Sequence, residues 1–161
     1  MSEFWFNEDT VDEELALWNS SRYKRIIKKR FTLVKKHIPK DFGSGWDRLL
    51  DVGCGIGLLL DYIPLEPCRY LGIDYSPSMV ERFKQRHPDY NIVQADIWDL
   101  YHDPDFWLES RVVVAIGFLY HQFNLFEVFH MLREITDDTL MFTIALSPKA
   151  ISRRHDRGYY E

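Results

Sequence analysis

A short apolar run that leads directly into three glycines constrains this chain more than any other segment. The run Leu49–Val52 is too short for a helix and predicts a buried strand. Gly53, Gly55 and Gly57 follow at alternate positions, where the absence of a Cβ permits positive φ and close approach of the backbone to a ligand. The apolar residues after Gly57 predict a helix whose first amides face a bound group. A tight strand-to-helix turn without a ligand is the alternative.

The loop departs from the dinucleotide-binding fingerprint at one position. That fingerprint, G-x-G-x-x-G, requires a glycine where this chain has Leu58. The departure disfavours a nucleotide-dependent oxidoreductase, which stays the weakest of the functions considered. By itself, the loop predicts a nucleotide-type site without specifying the ligand.

Composition indicates a single globular domain in a reducing compartment. The 161 residues are 46% hydrophobic, which is sufficient for one substantial core. The sequence contains no apolar run of the roughly eighteen residues that predict a membrane span, and its first residues do not resemble a signal peptide. A disulfide at Cys54 would obstruct the glycine loop. Cys54 and Cys68 are therefore interpreted as free thiols, and a cytoplasmic location is expected.

The first forty residues separate acidic from basic side chains. Residues 1–20 contain six acids and no Lys or Arg, whereas residues 21–40 contain nine Lys or Arg and no acid. We interpret the basic residues as the solvated face of a helix, with a patch for an anionic partner as the alternative. The net charge of −5 argues against a nucleic-acid partner. Apolar spacing predicts this helix over residues 21–37, after a first helix that starts near Val11.

From residue 49 onward, strand-like runs alternate with helical patterns. Four runs end at regular spacing, at Asp51, Asp74, Asp96 and Gly117. A fifth run covers residues 139–145. Helices are predicted after an N-cap at Ser76, over residues 106–108 and over residues 125–135. This alternation predicts βαβ units and an α/β fold: a doubly wound, mainly parallel sheet of about five strands, with N-terminal helices.

Three motifs at this spacing resemble the class I S-adenosylmethionine-dependent methyltransferases. The motifs lie at residues 49–57, 71–76 and 94–97, and the resemblance covers about residues 45–147. It implies a Rossmann-like fold, S-adenosylmethionine as the cofactor, and methyl transfer to an unidentified small-molecule acceptor. The acceptor atom, whether O, N, C or S, does not follow from the sequence. The main alternative is a module of the same fold that binds the cofactor or a protein without catalysis.

The resemblance implies two groups of contacts around the methionine part of the cofactor. Asp51 reaches the amino group, directly or through water. Glycines of the loop pack against the methionine chain: Gly53, Gly55 and Gly57. A crevice with acidic residues and no lysine suits a sulfonium and an ammonium, whereas it does not suit a pyrophosphate.

The remaining implied contacts involve the adenosine part. Asp74 holds the ribose, although an N-cap for the following helix is its alternative role. Asp96 accepts from the adenine amine, and the Ile97 amide donates to a ring nitrogen. Tyr75 is a candidate for stacking on the adenine, with a core aromatic as the alternative.

The segment at residues 117–122 contains the candidate catalytic residue. In many members of the resembled family this segment faces the transferable methyl group, so Gly117 is predicted to border the cofactor. His121 is a candidate general base for an acceptor that must lose a proton, because its ordinary pKa lies near neutrality. A structural histidine is the alternative. The histidines are scattered and form no cluster with metal-ligand spacing, so no metal is expected.

We predict a single domain over residues 1–161, with a helical flank at 1–40, a cofactor-binding core at 46–147 and a tail at 148–161. The resembled family usually adds two further strands, but the tail has no strand pattern. Either the chain is a fragment, or the fifth strand is an edge that self-associates or is covered by a partner. No membrane partner is expected.

Overall fold

A computed structural model describes residues 8–122 and 124–144, and within them a parallel sheet forms the centre of the molecule. The strands are β1 (Leu49–Val52), β2 (Tyr70–Asp74), β3 (Asn91–Gln94), β4 (Ser110–Ala115) and β5 (Thr136–Phe142). Their order across the sheet is β3-β2-β1-β4-β5, and every neighbouring pair is parallel. The predicted doubly wound α/β sheet is therefore confirmed.

Four of the five α-helices in the described chain begin at a residue whose side chain caps the helix. The helices are α1 (Glu8–Asn19), α2 (Ser21–His37), α3 (Pro77–Arg86), α4 (Ile97–Tyr101) and α5 (Leu125–Glu134). The Ser20 side chain accepts a hydrogen bond from the Tyr23 amide, and Ser76 caps α3 in the same way, with Pro77 in its first turn. Helix α1 is already formed at Glu8, ahead of the predicted start near Val11.

Both faces of the sheet are covered, because successive residues of a strand point to opposite sides. On one face, Leu50 and Val113 pack with residues of α4 and α5. On the other face, Leu49 and Val112 pack with residues of α2 and α3. Within the described residues, no helix is long and apolar enough to cross a membrane.

The α-helix predicted directly after the glycine loop is absent from the described chain. In its place, Leu58–Asp61 forms a single 3₁₀ turn, in which the Leu60 amide donates to the Gly57 carbonyl. Pro64 explains why the turn ends so soon: its ring disfavours helical backbone at the preceding residue and it has no N–H to donate. The expected row of helix N-terminal amides facing a ligand is therefore wrong.

The short helix predicted over residues 106–108 is also wrong. These residues are non-helical and lead directly into β4. The Arg48 guanidinium donates to the carbonyls of Trp107 and Glu109, at 2.6 and 2.9 Å. Because those carbonyls accept from a side chain of the neighbouring segment, the apolar residues here are anchored along the end of the sheet instead of coiling into a helix.

Strand β5 starts and ends three residues earlier than the predicted 139–145. Its register with β4 runs from the Ser110–Thr136 pair to the Ala115–Phe142 pair, with an irregularity after Ser110. In the described chain, β5 is the edge strand next to β4, as predicted. The predicted tail at 148–161 lies outside the described residues.

Candidate functional site

A cavity of about 270 Å³ opens at the carboxyl ends of the strands. It lies where the strand order reverses, between β1 and β4, which is the position where open α/β sheets bind ligands. Each of four strands contributes a residue at or just after its end: Gly53, Asp74, Asp96 and Gly117. The cavity therefore brings together residues that the sequence analysis selected from four separate motifs.

The glycine loop is fixed by backbone hydrogen bonds to β2. The amides of Gly53 and Cys54 donate to the Ile73 carbonyl, at 2.8 and 3.1 Å. Gly53 has φ +69°, and a Cβ there would lie 3.0 Å from the Phe118 ring. Gly55 has φ +54°, and a Cβ there would contact the Trp18 ring at 3.5 Å. Both glycines line the cavity in a conformation that L side chains rarely adopt.

The third glycine serves a different purpose. Gly57 has φ +76°, and a Cβ there would lie 2.7 Å from atoms of both Phe83 and His87 on and after α3. Gly57 is not among the lining residues of the cavity. This glycine is therefore required by close packing of the loop against α3.

Asp74 connects the glycine loop to the start of α3. Its Oδ2 accepts from the Gly55 amide at 2.7 Å, and its Oδ1 accepts from the Ser76 amide at 2.9 Å. Burial raises the pKa of this carboxyl to about 6, although the two amide hydrogen bonds act in the opposite direction. The N-cap of α3 is Ser76 itself. Asp74 lines the cavity, and each of its oxygens retains a lone pair that a ligand hydroxyl can use.

Asp51 lies beneath the loop and not among the lining residues of the cavity. Only 4% of the residue is exposed, and the Tyr70 hydroxyl donates to its Oδ2 at 3.0 Å. Burial raises the pKa of Asp51 to about 7, and the negative charge of Asp74 adds to the rise. The sequence analysis did not identify Tyr70, because a tyrosine at the start of a strand carries no signal of a partner 19 residues earlier.

Asp96 and its neighbours line the part of the cavity next to the end of β3. The Oδ1 atom of Asp96 accepts from the Trp98 amide at 3.0 Å, which caps α4, and burial raises the pKa of the carboxyl. Ile97 is buried, Tyr75 is partly buried, and both line the cavity. The two lining carboxylates, Asp74 and Asp96, thus lie together in the β2–β3 half of the crevice.

The β4 half carries different chemistry. Gly117 has φ +85°, with open space where a Cβ would lie, and its amide donates to the Thr143 hydroxyl at 2.8 Å. A 3₁₀ turn, Leu119–His121, follows, anchored by the buried Leu119. Polar side chains of this segment line the cavity: Tyr120, His121 and Gln122.

The two N-terminal helices cover the crevice. Trp18 of α1 and four residues of α2 line the cavity: Tyr23, Ile27, Arg30 and Phe31. An ion pair between Asp12 and Arg82, 2.5 Å long, links α1 to α3. The apolar spacing of α2 predicted its buried face. That this face borders a ligand cavity depends on where α2 packs, which spacing alone does not determine.

Comparison with known proteins identifies the family. A family model described as a methyltransferase domain matches residues 50–139, which is more than half of the chain. The chain therefore belongs to this family of methyltransferase domains. The matched segment contains the glycine loop, Asp74 at the end of β2, and Asp96 between β3 and α4.

Two curated relatives match shorter segments. Trans-aconitate 2-methyltransferase of Enterobacter sp. (strain 638) is 32% identical over 87 residues, which are 52% of this chain and 34% of that protein. The 18S rRNA (guanine-N(7))-methyltransferase of Mus musculus is 41% identical over 49 residues, which are 30% of this chain and 17% of that protein. The chain thus covers about a third or less of the length of these relatives.

Solved structures share the fold at low sequence identity. A methyltransferase of Thermotoga maritima, described as SAM-dependent and a possible histamine N-methyltransferase, matches with a TM-score of 0.69 and 14% identity, covering 99% of this chain and 72% of that one. The plantazolicin methyltransferase BpumL, solved with SAH, matches with a TM-score of 0.60 and 16% identity, covering 98% and 66%. These likenesses confirm the Rossmann-like architecture.

Proposed function

We propose that this domain binds S-adenosylmethionine in the crevice and transfers its methyl group to a small-molecule acceptor. The observation that carries the proposal is the grouping of Asp74, Asp96 and the positive-φ glycines in one cavity, within a chain of the methyltransferase family. The solved structure of BpumL with SAH supports the same cofactor on this fold. Membership of the family supports an enzyme, a transferase, as the class of protein.

The residues of the crevice fit this cofactor. Asp74 retains acceptor capacity for the two ribose hydroxyls, and the partly buried Asp96 lies one strand further out, where an adenine amine can donate to it. The Ile97 amide and the Tyr75 ring lie on the same side and are assigned to the adenine. Gly53 and Gly55 leave room for the methionine chain because neither has a Cβ.

Asp51 and Gly57 take supporting roles in this proposal. Asp51 lies below the loop and contacts an ammonium only through water, because the Tyr70 hydroxyl occupies one oxygen and the side chain is not a lining group. Gly57 allows the loop to pack on α3. The proposed domain division follows the same lines: a helical flank at 1–40 that covers a core at 46–147.

When bound, the cofactor would supply an activated methyl carbon. A lone pair of the acceptor would form the new bond to this carbon, and the electrons of the broken carbon–sulfur bond would stay on sulfur. The protein aligns the two reactants and excludes water, which supplies most of the rate in an in-line displacement. His121 and Gly117, on the β4 side of the crevice, are assigned to the acceptor region. His121 accepts the proton of an acceptor hydroxyl, amine or carbon acid that must lose one.

The cover of the crevice supports a small acceptor. Trp18 of α1 and the α2 residues Tyr23 and Phe31 line the cavity, so these two helices lie over the site that the acceptor must enter. The relative trans-aconitate 2-methyltransferase, by its name, acts on a small molecule. We also propose a cytoplasmic location, because the buried Cys54 thiol lines the site and Cys68 is free and exposed.

The proposal is tested by incubating the chain with methyl-labelled S-adenosylmethionine and a small-molecule extract. The native chain is expected to form a labelled product. When the acceptor needs a base, His121→Ala should form this product about 10²- to 10⁴-fold more slowly. His37→Ala, an exposed histidine on α2, is the matched control and is expected to retain the native rate. Cofactor binding without labelled product from any extract would instead support the binding-module alternative.

A further inference from the structure

The outward side of α2 is strongly basic, and the proposed function does not use it. Seven Lys or Arg side chains of this helix are exposed, and we call them the basic face: Arg22, Lys24, Arg25, Lys28, Lys29, Lys35 and Lys36. The opposite side of α2 carries Ile27, Phe31 and Val34, which are buried in the core. At these basic residues the sequence predicts either a solvated helix face or a patch for an anionic partner. No residue of the basic face is among those that line the crevice.

The charges of the basic face lack counter-ions. Among the side chains that the structure describes, no carboxylate pairs with a cation of this face, and the ion pairs use Arg69, Arg82, Arg86, Arg111 and two histidines. Cations three or four residues apart, such as Arg25 and Lys29, repel each other on a helix. The first turn of α2 also contains no acid, although the helix dipole favours negative charge there. These cations therefore weaken α2 by themselves, and a bound polyanion would remove the repulsion.

The cations form two rows along the helix. With a rotation of about 100° per residue, the rows lie about 120° apart around the helix axis, and they contain Lys24, Lys28 and Lys35 on one side and Arg22, Lys29 and Lys36 on the other. The second row extends over about 21 Å along the axis. A flat surface contacts only the middle of so wide an arc, whereas a helix in a groove has a charged strand on each side. Two rows of cations therefore fit the paired phosphate strands of a duplex.

The composition of the basic face favours a nucleic acid over other anionic partners. Leu33 is the one large hydrophobic side chain of α2 that is exposed, whereas a membrane-binding helix needs an apolar row to insert. Interfaces between proteins are enriched in aromatic residues and depleted in lysine. Contacts with a phosphate backbone, by contrast, depend on Lys and Arg. The net charge of −5 argues against such a partner at long range, but salt screens charges beyond about 8 Å, so the local face decides.

We propose that the basic face of α2 is a docking surface for the phosphate backbone of a nucleic-acid duplex. The inference goes beyond the proposed function and does not rest on it, because the cations of this face do not line the crevice. A duplex bound in this way lies on the outer side of the helix whose inner side covers the crevice. Backbone contacts are insensitive to base sequence, and the affinity that they supply falls steeply with salt.

The test measures binding of short fluorescent DNA and RNA duplexes by anisotropy over a range of salt concentrations. In the double variant Arg25→Gln/Lys29→Gln, duplex affinity should fall about 10- to 100-fold near 0.1 M salt, and the slope of log affinity against log salt should decrease by about 1.8. The matched control Arg133→Gln/Lys84→Gln removes the same two charges from exposed positions on α5 and α3, and it should change neither quantity. Glutamine is a good helix former, so both variants should keep the native fold.

Three further probes separate this surface from other sites and other partners. S-adenosylhomocysteine should not compete with the duplex, since competition would place the duplex in the crevice and overturn the inference. Phosphatidylserine vesicles or polyglutamate that bind as tightly as a duplex would overturn it in favour of a membrane or an acidic protein. No binding of either duplex to the native chain, or equal loss in the two double variants, would also overturn it. All of these results leave the proposed function intact, which fails if the native chain does not bind S-adenosylhomocysteine.

Discussion

Asp51→Asn is expected to stabilise the ligand-free domain at alkaline pH. The Asp51 carboxyl is almost completely buried beneath the glycine loop, and burial raises its pKa from 3.8 to about 7. Because the folded state binds this proton more tightly than the unfolded state, its stabilising contribution is complete below pH 3.8 and is lost as the pH rises through 7. Asparagine has the same shape, stays neutral at every pH and retains an oxygen that can accept from the Tyr70 hydroxyl.

The size of the effect follows from the width of that interval. About three pKa units correspond to roughly 4 kcal/mol, of which about 3 kcal/mol is lost between pH 5 and pH 8. The free energy of unfolding is measured by urea denaturation at both pH values. Between them, Asp51→Asn should gain about 3 kcal/mol relative to the native chain, whereas Asp89→Asn, at an exposed position, should gain nothing. Parallel pH dependence of Asp51→Asn and the native chain would refute the assignment of a buried, proton-binding carboxyl.

Two further predictions concern the glycine loop and the sheet edge. Gly57→Ala should lower the free energy of unfolding by about 2–4 kcal/mol, because residue 57 has a positive φ and its new Cβ would lie too close to Phe83. The control Gly45→Ala, where a Cβ would lie in open space, should leave the free energy of unfolding unchanged in urea denaturation. S-adenosylhomocysteine affinity of the folded Gly57→Ala should change only a few-fold, and a large loss would show that this glycine contacts the ligand. The β5 edge is predicted to self-associate. In sedimentation experiments, Ile144→Lys should therefore reduce self-association more than the control Leu33→Lys on α2, and both residues are exposed. A native chain that stays monomeric at high concentration would contradict this prediction.

The sequence predicted the elements whose signals are local. Alternating apolar runs and helical patterns located the strands, and the motif spacing located Asp74 and Asp96, which the fold brings into one cavity. Ser76 and Pro77 marked the start of α3 correctly, because capping depends on adjacent residues.

One failure, the missing helix after the glycine loop, follows from the nearby Pro64, and the others come from contacts between distant segments. The helix predicted over residues 106–108 is replaced by an extended segment because Arg48, nearly sixty residues earlier, donates to its carbonyls. The purpose of Gly57 depends on Phe83, and the environment of Asp51 depends on Tyr70. Arg30 was one of nine basic residues in its segment, and only the packing of α2 distinguishes it from the exposed ones.

The central claim is that the crevice is a site for S-adenosylmethionine, and calorimetric titration tests it most directly. The account predicts one site per chain that S-adenosylmethionine and S-adenosylhomocysteine occupy in competition, and no binding of NAD. Asp96→Asn, which keeps the α4 cap but removes the charge, should weaken both ligands by about tenfold. At a hundredfold excess over Kd, either ligand should also add about 2.7 kcal/mol to the free energy of unfolding. Equal binding of NAD, or no binding of either methyl-cycle ligand to a folded chain, would contradict the account.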